Sequence, residues 1–160
     1  MLSDRRGQGL PCGPCPAHGA GNPCRGKGGG PAVKPITPAY KGENKGHYSA
    51  GMLSGKTLYI SGQLSVDPDT RLVPEGGAGD HARLALANLD RVLLEAGLSR
   101  EAVVQCRIYV SDIESWDEVN RVYADFFGAH KPARVVVPVG KLHFGCLVEI
   151  EAIAEVNETC

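Results

Sequence analysis

The chain has 160 residues, a length typical of one domain, and its 42% hydrophobic and 22% charged residues are an ordinary globular balance. A formal net charge of −1 disfavours a dedicated nucleic-acid binder, which usually carries a clear excess of Lys and Arg. The sequence holds no apolar run of about 18 residues and no secretory-type apolar stretch. We therefore expect a cytoplasmic protein without a membrane or nucleic-acid partner.

Composition changes near residue 33. Residues 1–33 include 9 Gly and 5 Pro, and they contain too few large apolar side chains to offset the entropy lost on folding. We interpret 1–33 as a disordered extension and 34–160 as the folded domain. The extension has four basic side chains and one acidic side chain, so the folded domain carries a net negative charge.

Three of the six cysteines lie in this extension. Cys12 and Cys15 match the C-x-x-C pattern, but a redox motif needs a strand before it and a helix after it, and prolines flank this one. With His18 and Cys24 they could supply four zinc ligands, although their spacing fits no closed site that we recognise. We prefer a flexible extension without metal, and the zinc and redox interpretations stay open.

The first strands of the domain are predicted between residues 48 and 64. Residues 57–61 have the β-branched and aromatic composition of a strand, and residues 48–52 can pair with them across a turn at Ser54 and Gly55. A second turn is predicted at residues 67–70, where proline fixes φ and aspartate can cap the turn.

Two amphipathic helices follow. The first is predicted to begin at Asp80 as N-cap and to end at Gly97. The second follows Asp112 and stops at Gly128. The apolar residues of both helices recur at steps of three and four, which marks one buried stripe on each helix. These residues are Ala82, Ala85, Leu86, Leu89, Val92, Leu93, Ala96, Trp116, Val119, Val122, Tyr123, Phe126 and Phe127.

Residues 104–110 alternate between apolar and polar side chains, which is typical of a half-buried strand. Val104, Cys106, Ile108 and Val110 should face the core, and Cys106 should serve packing. Two more strands are predicted at 133–139 and 147–156. The order β-β-α-β-α-β-β favours an α+β fold in which both helices cover one face of a mixed sheet. The other face then needs a partner, so we expect an oligomer.

Three charged residues stand out in the last two strands. Glu149 and Glu151 share one face of the final strand and lie about 7 Å apart. They belong either to a solvated face or to a site. Arg134 begins the preceding apolar strand, which we expect to be adjacent, and a guanidinium suits bidentate binding of a carboxylate. The alternative is a structural salt bridge from Arg134 to Glu149 or Glu151.

The histidines of the domain show no metal-ligand spacing, and each is expected in an exposed loop or at a helix end. These are His47, His81, His130 and His143. No Gly-rich phosphate loop lies between a strand and a helix, and no G-x-S-x-G nucleophile motif occurs.

Residues 38–156 resemble the RidA/YjgF family, also called the endoribonuclease L-PSP family. The motifs that carry the resemblance are GHYS at 46–49, YISGQ at 59–63, NL at 88–89, VNRVY at 119–123, PAR at 132–134 and VEIEA at 148–152. The last two, at this separation, are the most specific.

The resemblance implies a chorismate-mutase-like fold and a homotrimer with clefts between subunits. It implies hydrolysis of 2-aminoacrylate and related 2-imino acids to 2-keto acids and ammonia, without metal or cofactor. In this family an arginine binds the carboxylate, a glutamate positions water and a tyrosine assists. The site residues of the family fall on Arg134, Glu149, Tyr48, Asn120, Ser61 and Gly62.

Two departures from the family pattern bear on substrate preference. His47 stands where many members have proline, and Val136 stands where many have cysteine, so that cysteine cannot serve here. The physiological imine, the pathway and the role of the extension stay open at this stage. Alternative functions are a non-catalytic module that binds 2-keto acids and an endoribonuclease, although an acidic domain without a basic patch disfavours the latter.

Overall fold

The computed structural model describes residues 32–41 and 46–156, and their fold is a mixed six-stranded sheet with two helices. The strands are β1 (Val33–Ile36), β2 (Gly51–Ser54), β3 (Thr57–Leu64), β4 (Val103–Val110), β5 (Ala133–Pro138) and β6 (Val148–Glu155), and the helices are α1 (Ala78–Glu95) and α2 (Trp116–Phe127). Single 3-10 turns occupy Arg100–Ala102, Ile113–Ser115 and His143–Gly145. The predicted α+β class is therefore confirmed.

Strand β1 was not predicted from the sequence. It pairs antiparallel with β2 at the edge of the sheet, and only Ile36 of its four residues is buried. Pro35 obscures the strand signal, yet proline is tolerated where a strand lies at an edge. The observed order is β-β-β-α-β-α-β-β, and its first strand begins at Val33. The cysteines of the extension lie outside the described residues.

The predicted hairpin of β2 and β3 forms, but its first strand is Gly51–Ser54 and not 48–52, and its turn lies one residue later than predicted. Ser54 pairs with Thr57, so Gly55 and Lys56 form a two-residue turn, and Gly55 has a φ of 61°. That left-handed conformation suits glycine and matches the twist of a tight hairpin. In the turn after β3, Asp67 Oδ1 accepts hydrogen bonds from the backbone N–H groups of Asp69 and Thr70 at 2.9 and 2.8 Å.

Both helices cover one face of the sheet and bury most of their apolar stripes against it, but Trp116, predicted to be buried, lies in the first turn of α2 and is 39% exposed. Helix α1 begins at Ala78 after Gly77, so the predicted N-cap was wrong, and Asp80 lies in the first turn instead. The end of α1 matches the prediction. Gly97 has a φ of 73°, and the N–H groups of Gly97 and Leu98 bond back to Leu94 and Leu93 in a Schellman arrangement.

Strand β4 departs from simple alternation at its start. The register with β6 shifts between Val103 and Gln105, so Val103 is buried and Val104 is exposed. The prediction that Val104 faces the core was therefore wrong, because a bulge rotates the strand by one residue. Cys106 and Ile108 are fully buried as predicted.

The strand order is β1-β2-β3-β6-β4-β5, with β4 and β5 parallel and the other pairs antiparallel. Strand β4 thus lies between β5 and β6, and the predicted adjacency of the last two strands was wrong. The sheet face away from the helices is uncovered and carries exposed Tyr59, Val135 and Val137. None of the helices among the described residues is long and apolar enough to cross a membrane.

Candidate active site

Arg134 lies near the start of β5 and points to the helical side of the sheet. In the parallel ladder it pairs with Cys106, whose side chain is buried under the helices. Its Nη1 donates a 2.8 Å hydrogen bond to Asn120 Oδ1 on α2. The half-buried guanidinium is therefore held in one orientation by a residue of the same predicted site.

Two aromatic rings of α2 flank this guanidinium. Its carbon lies 4.7 Å from the ring centroid of Tyr123 and 5.6 Å from that of Trp116, within the range of cation–π attraction. Trp116, Asn120 and Tyr123 share one face of the helix because they recur at steps of four and three. We call these three residues and Arg134 the arginine cluster. Arg134, Asn120 and Tyr123 line a cavity of about 350 Å³.

Among the described residues, no carboxylate lies within ion-pairing distance of Arg134. Glu151 pairs with Arg107 at 2.8 Å and accepts a 3.2 Å hydrogen bond from the Tyr109 hydroxyl. The structural salt bridge from Arg134 to Glu149 or Glu151 is therefore excluded within one chain. The charge of Arg134 remains available to an anion.

Glu149 lies on the uncovered face of the sheet, half-buried in β6. Burial raises the pKa of its carboxyl above the ordinary value, and the neighbouring Glu151 adds to this effect. Among the described residues no side chain donates a hydrogen bond to it. Glu149 and Glu151 line a cavity of about 320 Å³ together with Tyr109. A carboxylate without a cation partner and with a raised pKa is a suitable acceptor for a proton from water.

The position of Glu149 depends on Gly62. The register of β3 against β6 shifts between Ile60 and Gln63, and Gly62 lies at this irregularity. A Cβ atom on Gly62 would collide with the Glu149 carboxylate. Only glycine therefore allows Glu149 to lie across β3, which explains why this residue type belongs to the predicted site.

Ser61, next to Gly62 on β3, forms hydrogen bonds to the segment that precedes β2. Its hydroxyl donates to the carbonyl of Ser49 at 2.8 Å, and its backbone N–H donates to the carbonyl of Ala50 at 3.0 Å. Tyr48 precedes this anchored segment, is exposed, and lines a third cavity together with Gly62. We call Tyr48, Ser61, Gly62 and Glu149 the glutamate cluster.

One chain does not bring the two clusters together. Across β4, Arg134 is in register with Ala152, three residues along β6 from Glu149, so Arg134 and Glu149 lie about 14 Å apart in the plane of the sheet, and their side chains leave opposite faces. The structure thus joins Arg134 with Asn120, places Glu149 against Gly62, and places Tyr48 on a different cavity that Gly62 also borders. It does not join the predicted carboxylate-binding residue to the predicted base.

Three features near these clusters were not predicted from the sequence. His81, expected in an exposed position, is 2% exposed and contacts the Ser65 hydroxyl at 2.6 Å. Tyr123 and Trp116 were assigned to packing, although their spacing from Asn120 on α2 could have indicated a shared face. His130 was also expected to be exposed, but it is partly buried and bonds the Val103 carbonyl at 2.7 Å.

Other candidate groups are inert or absent from the described part of the chain. Burial raises the pKa of Cys106 to about 11, so its thiol stays protonated and serves packing. Val136 is half-buried two residues beyond Arg134 on the same face of β5. Residues 32–41 and 46–156 contain no group of His, Cys, Asp and Glu that could hold a metal ion.

Known proteins share this fold and these sequence motifs. The model of a family described as endoribonuclease L-PSP matches residues 41–156. The human 2-iminobutanoate/2-iminopropanoate deaminase is 37% identical over 109 residues, which cover 68% of this chain and 80% of the human protein. A RutC family protein of Pyrococcus horikoshii is 40% identical over 123 residues, 77% of this chain and 90% of that protein.

A solved structure supports the same assignment. The crystal structure of E. coli TdcF with bound serine superposes with a TM-score of 0.70 at 31% identity, and the match covers 76% of this chain and 98% of TdcF. The resemblance predicted from the sequence motifs is thereby confirmed. The chain belongs to the endoribonuclease L-PSP family, which is also known as the RidA/YjgF family.

Proposed function

We propose that this protein hydrolyses reactive 2-enamine and 2-imine acids, of the 2-aminoacrylate and 2-iminopropanoate type, to 2-keto acids and ammonia. The observation that carries the proposal is the guanidinium of Arg134, which is half-buried, held by Asn120 and unpaired with any carboxylate among the described residues. The relatives named as imine deaminases support the same reaction.

Arg134 is the carboxylate-binding residue in this proposal. Asn120 uses one N–H of the guanidinium, and the other donors remain for the two oxygens of a substrate carboxylate. Tyr123 and Trp116 hold the cation from the sides, so little side-chain entropy is lost when the substrate binds. Lysine could not replace this planar fork.

Glu149 is the general base. It takes a proton from a water molecule as the water oxygen bonds to C2 of the imine, and it returns this proton to the nitrogen of the resulting carbinolamine. Glu149 then accepts the proton of the new hydroxyl group and passes it to the nitrogen as the C–N bond breaks, so ammonia leaves and C2 becomes the carbonyl carbon of the keto acid. The raised pKa of Glu149 strengthens it as a base.

The remaining predicted residues position these groups. Gly62 leaves room for the Glu149 carboxylate over β3, and Ser61 fixes the segment that presents Tyr48. The Tyr48 hydroxyl is proposed to hydrogen-bond the substrate or the attacking water. Because the imine is already electrophilic, positioning by these groups is enough to accelerate its hydrolysis.

The complete site forms between copies of this chain in a homotrimer. The separation of Arg134 from Glu149 within one chain supports this part of the proposal, because one ligand can reach both only if they come from different subunits. The uncovered sheet face offers Tyr59, Val135 and Val137 as an apolar surface for that association. In the homotrimer these three apolar side chains, which are exposed in a single chain, would be covered by a neighbouring subunit.

Replacing Arg134 tests the proposal directly. Release of 2-keto acid from enzymatically generated 2-iminopropanoate should fall at least about 100-fold in kcat/KM for Arg134→Ala, since two charge-assisted hydrogen bonds are lost. Arg134→Lys should lie between that variant and wild type. Arg83→Ala is the matched control, because Arg83 forms only an exposed ion pair with Asp80. Near wild-type turnover in Arg134→Ala would disprove the assignment.

The same protein preparations separate the two other functions of interest. Calorimetric binding of 2-oxobutanoate without any imine hydrolysis would indicate a non-catalytic keto-acid module. Ribonuclease activity that depends on Arg134 would indicate a nuclease, whereas nuclease activity that survives Arg134→Ala would indicate a contaminant.

A further inference from the structure

The cavity of the arginine cluster carries more positive charge than one carboxylate can neutralise. Its volume of about 350 Å³ is in the range of small-molecule sites, and His130, Lys131 and Pro132 border it together with Arg134. None of the described residues that line it is acidic. The folded domain as a whole has a net negative charge, so these basic side chains do not belong to a generally basic surface.

Neither Lys131 nor Arg134 has an acidic partner among the described residues. Four other arginines each pair with a carboxylate at 2.6 to 3.2 Å, namely Arg83, Arg91, Arg100 and Arg107. No ion pair within residues 32–41 and 46–156 includes either cation of the cavity. His130 lies near Glu101, but this carboxylate borders a different cavity. Both cations are therefore available to a ligand.

Hydrogen bonds anchor the segment that carries Lys131. The backbone N–H of His130 donates to the Phe127 carbonyl at 3.1 Å, and its ring Nε2 donates to the first carbonyl of β4 at 2.7 Å. Pro132 follows Lys131 directly and restricts the backbone on that side. Three peptide units separate Lys131 from Arg134, so their Cα atoms lie at most about 11 Å apart.

A fixed arginine beside an adaptable lysine suits a ligand with two anionic groups. Asn120 and two aromatic rings hold the guanidinium of Arg134, whose planar fork matches the carboxylate common to all 2-imino acids. The Lys131 ammonium is a point charge on a flexible stem, and its exposed side chain can turn towards a second anion. One carboxylate neutralises only one of the two charges, so a second carboxylate adds an attraction that a neutral side chain lacks.

We infer that this cavity is a side-chain subsite in which Lys131 binds a second carboxylate of the substrate, so that the preferred substrates are the 2-imino derivatives of dicarboxylic amino acids. The inference rests on the proposed function for the identity of the reacting group. Arg134 binds the carboxylate at C1, which the whole substrate class shares, and Lys131 determines the specificity. A substrate with a short neutral side chain is accepted but leaves the charge of Lys131 unneutralised.

Two keto acids of the same shape test the subsite. 2-Oxoglutarate ends in a carboxylate, and 5-methyl-2-oxohexanoate has an isopropyl group in its place. Calorimetry at low ionic strength should show that wild type binds 2-oxoglutarate about tenfold more tightly, as expected for one charge-assisted hydrogen bond. The preference should shrink in about 1 M salt, which screens an exposed lysine. The imines formed from glutamate and homoleucine by amino acid oxidases should show the same preference in kcat/KM.

Three charge-removing substitutions locate the preference. Lys131→Gln should abolish it by weakening the binding of 2-oxoglutarate alone, and Lys131→Arg should retain most of it. Lys34→Gln, in β1 at the other edge of the sheet, is the matched control and should leave the preference intact. Lys141→Gln tests a rival position, because Lys141 borders the cavity that contains Glu149. All three lysines are exposed, so the variants should melt as wild type does.

The outcomes separate the subsite from the reaction. Equal affinities in wild type, a preference that survives Lys131→Gln, or an equal loss of affinity for both keto acids in that variant would overturn the subsite even if 2-iminopropanoate is hydrolysed. A preference that depends on Lys141 instead would also overturn it. A preference for 2-oxoglutarate that depends on Lys131, in a protein that hydrolyses no imine, would support the subsite and overturn the proposed function.

Discussion

The arginine cluster and the glutamate cluster hold opposite charges by different means. Arg134 is held firmly, by a hydrogen bond to Asn120 and by two rings of α2. Glu149 has no hydrogen-bond donor or cation beside it among the described residues, and its position depends on the space left by Gly62. Contacts with neighbouring side chains fix the guanidinium of Arg134, whereas the carboxylate of Glu149 occupies the space that Gly62 leaves free because it has no side chain.

This difference shows how one sheet keeps two complementary charges from neutralising each other. Strand β4 separates them, and the alternation of side chains sends them to opposite faces. The second carboxylate of β6, Glu151, is already paired with Arg107. Among the described residues, Arg134 and Glu149 therefore both lack an oppositely charged partner, which leaves each available to a ligand at an energetic cost.

The strongest test of this separation mixes two inactive proteins. If Arg134 and Glu149 from different subunits form one site, co-expressing Arg134→Ala with Glu149→Gln should restore activity, because some interfaces carry neither substitution. Random mixing in a trimer predicts roughly a quarter of wild-type sites. The measurement is imine hydrolysis by purified mixed oligomers, with co-expressed wild type and Glu149→Gln as calibration. A mixture no more active than its components would contradict a shared intersubunit site.

Enlarging Gly62 tests how the glutamate is placed. Gly62→Ala should lower kcat about 10-fold or more, because the new methyl group displaces the base, while the affinity for 2-keto acids changes less. Gly51→Ala is the matched control. Its Cβ would press on Val92 in the core, so this variant should lower the melting temperature without lowering kcat. Equal kcat in Gly62→Ala and wild type would show that Glu149 does not act from this position.

The pH dependence of activity and stability should distinguish the two charges. Since burial raises the pKa of Glu149, kcat/KM should fall with decreasing pH well before the ordinary value of 4.5 is reached. Glu149→Gln should remove this acidic limb together with most of the turnover. An unchanged pH profile in Glu149→Gln would assign the limb to another group.

Stability should respond in the opposite sense. A raised pKa in the folded state means that this group's contribution is full at low pH and is lost as pH rises through the shifted pKa. Glu149→Gln stays neutral, so it should melt at a higher temperature than wild type near pH 7 and at the same temperature below about pH 4.5. Calorimetric melting at both pH values provides the measurement.

A smaller effect on stability is expected at His81, which links the residue after β3 to the residue before β6, close to the glutamate cluster. Its Nδ1 contacts Ser65 at 2.6 Å and accepts from the Leu147 N–H at 3.2 Å, so protonation there would break the link between the ends of β3 and β6. Burial lowers the pKa of His81. The contribution of neutral His81 to folding stability is therefore complete above about pH 6.5, and it is lost as the pH falls towards the lowered pKa of His81.

Replacement of His81 separates the titration from the hydrogen bonds. His81→Ala should cost about 1–3 kcal/mol of unfolding free energy near pH 7, and His81→Asn should cost less and lose the pH dependence, since its amide oxygen can replace Nδ1. Urea denaturation between about pH 7 and pH 5 measures both effects. A wild-type curve that does not change over this range would contradict the role of His81.

Much of the fold could be predicted, because its signals are local. The apolar stripe that contains Val119 and Val122 and the turn at Gly97 each depend on residues within one or two helical turns. The candidate site was predicted only as a set of residues. Arg134 was expected beside Glu149 because their strands are consecutive in the chain, yet β6 inserts between β3 and β4.

The sequence by itself determined the α+β class, the two helices and the types of side chain offered for chemistry, since periodicity and motif depend on short spacings. Only the tertiary structure decided which of those side chains meet. The β-bulge that seats Glu149 over Gly62, the burial of His81 and the separation of Arg134 from Glu149 all follow from strand order and register. These are set by contacts between residues far apart in the chain, which a local pattern does not encode.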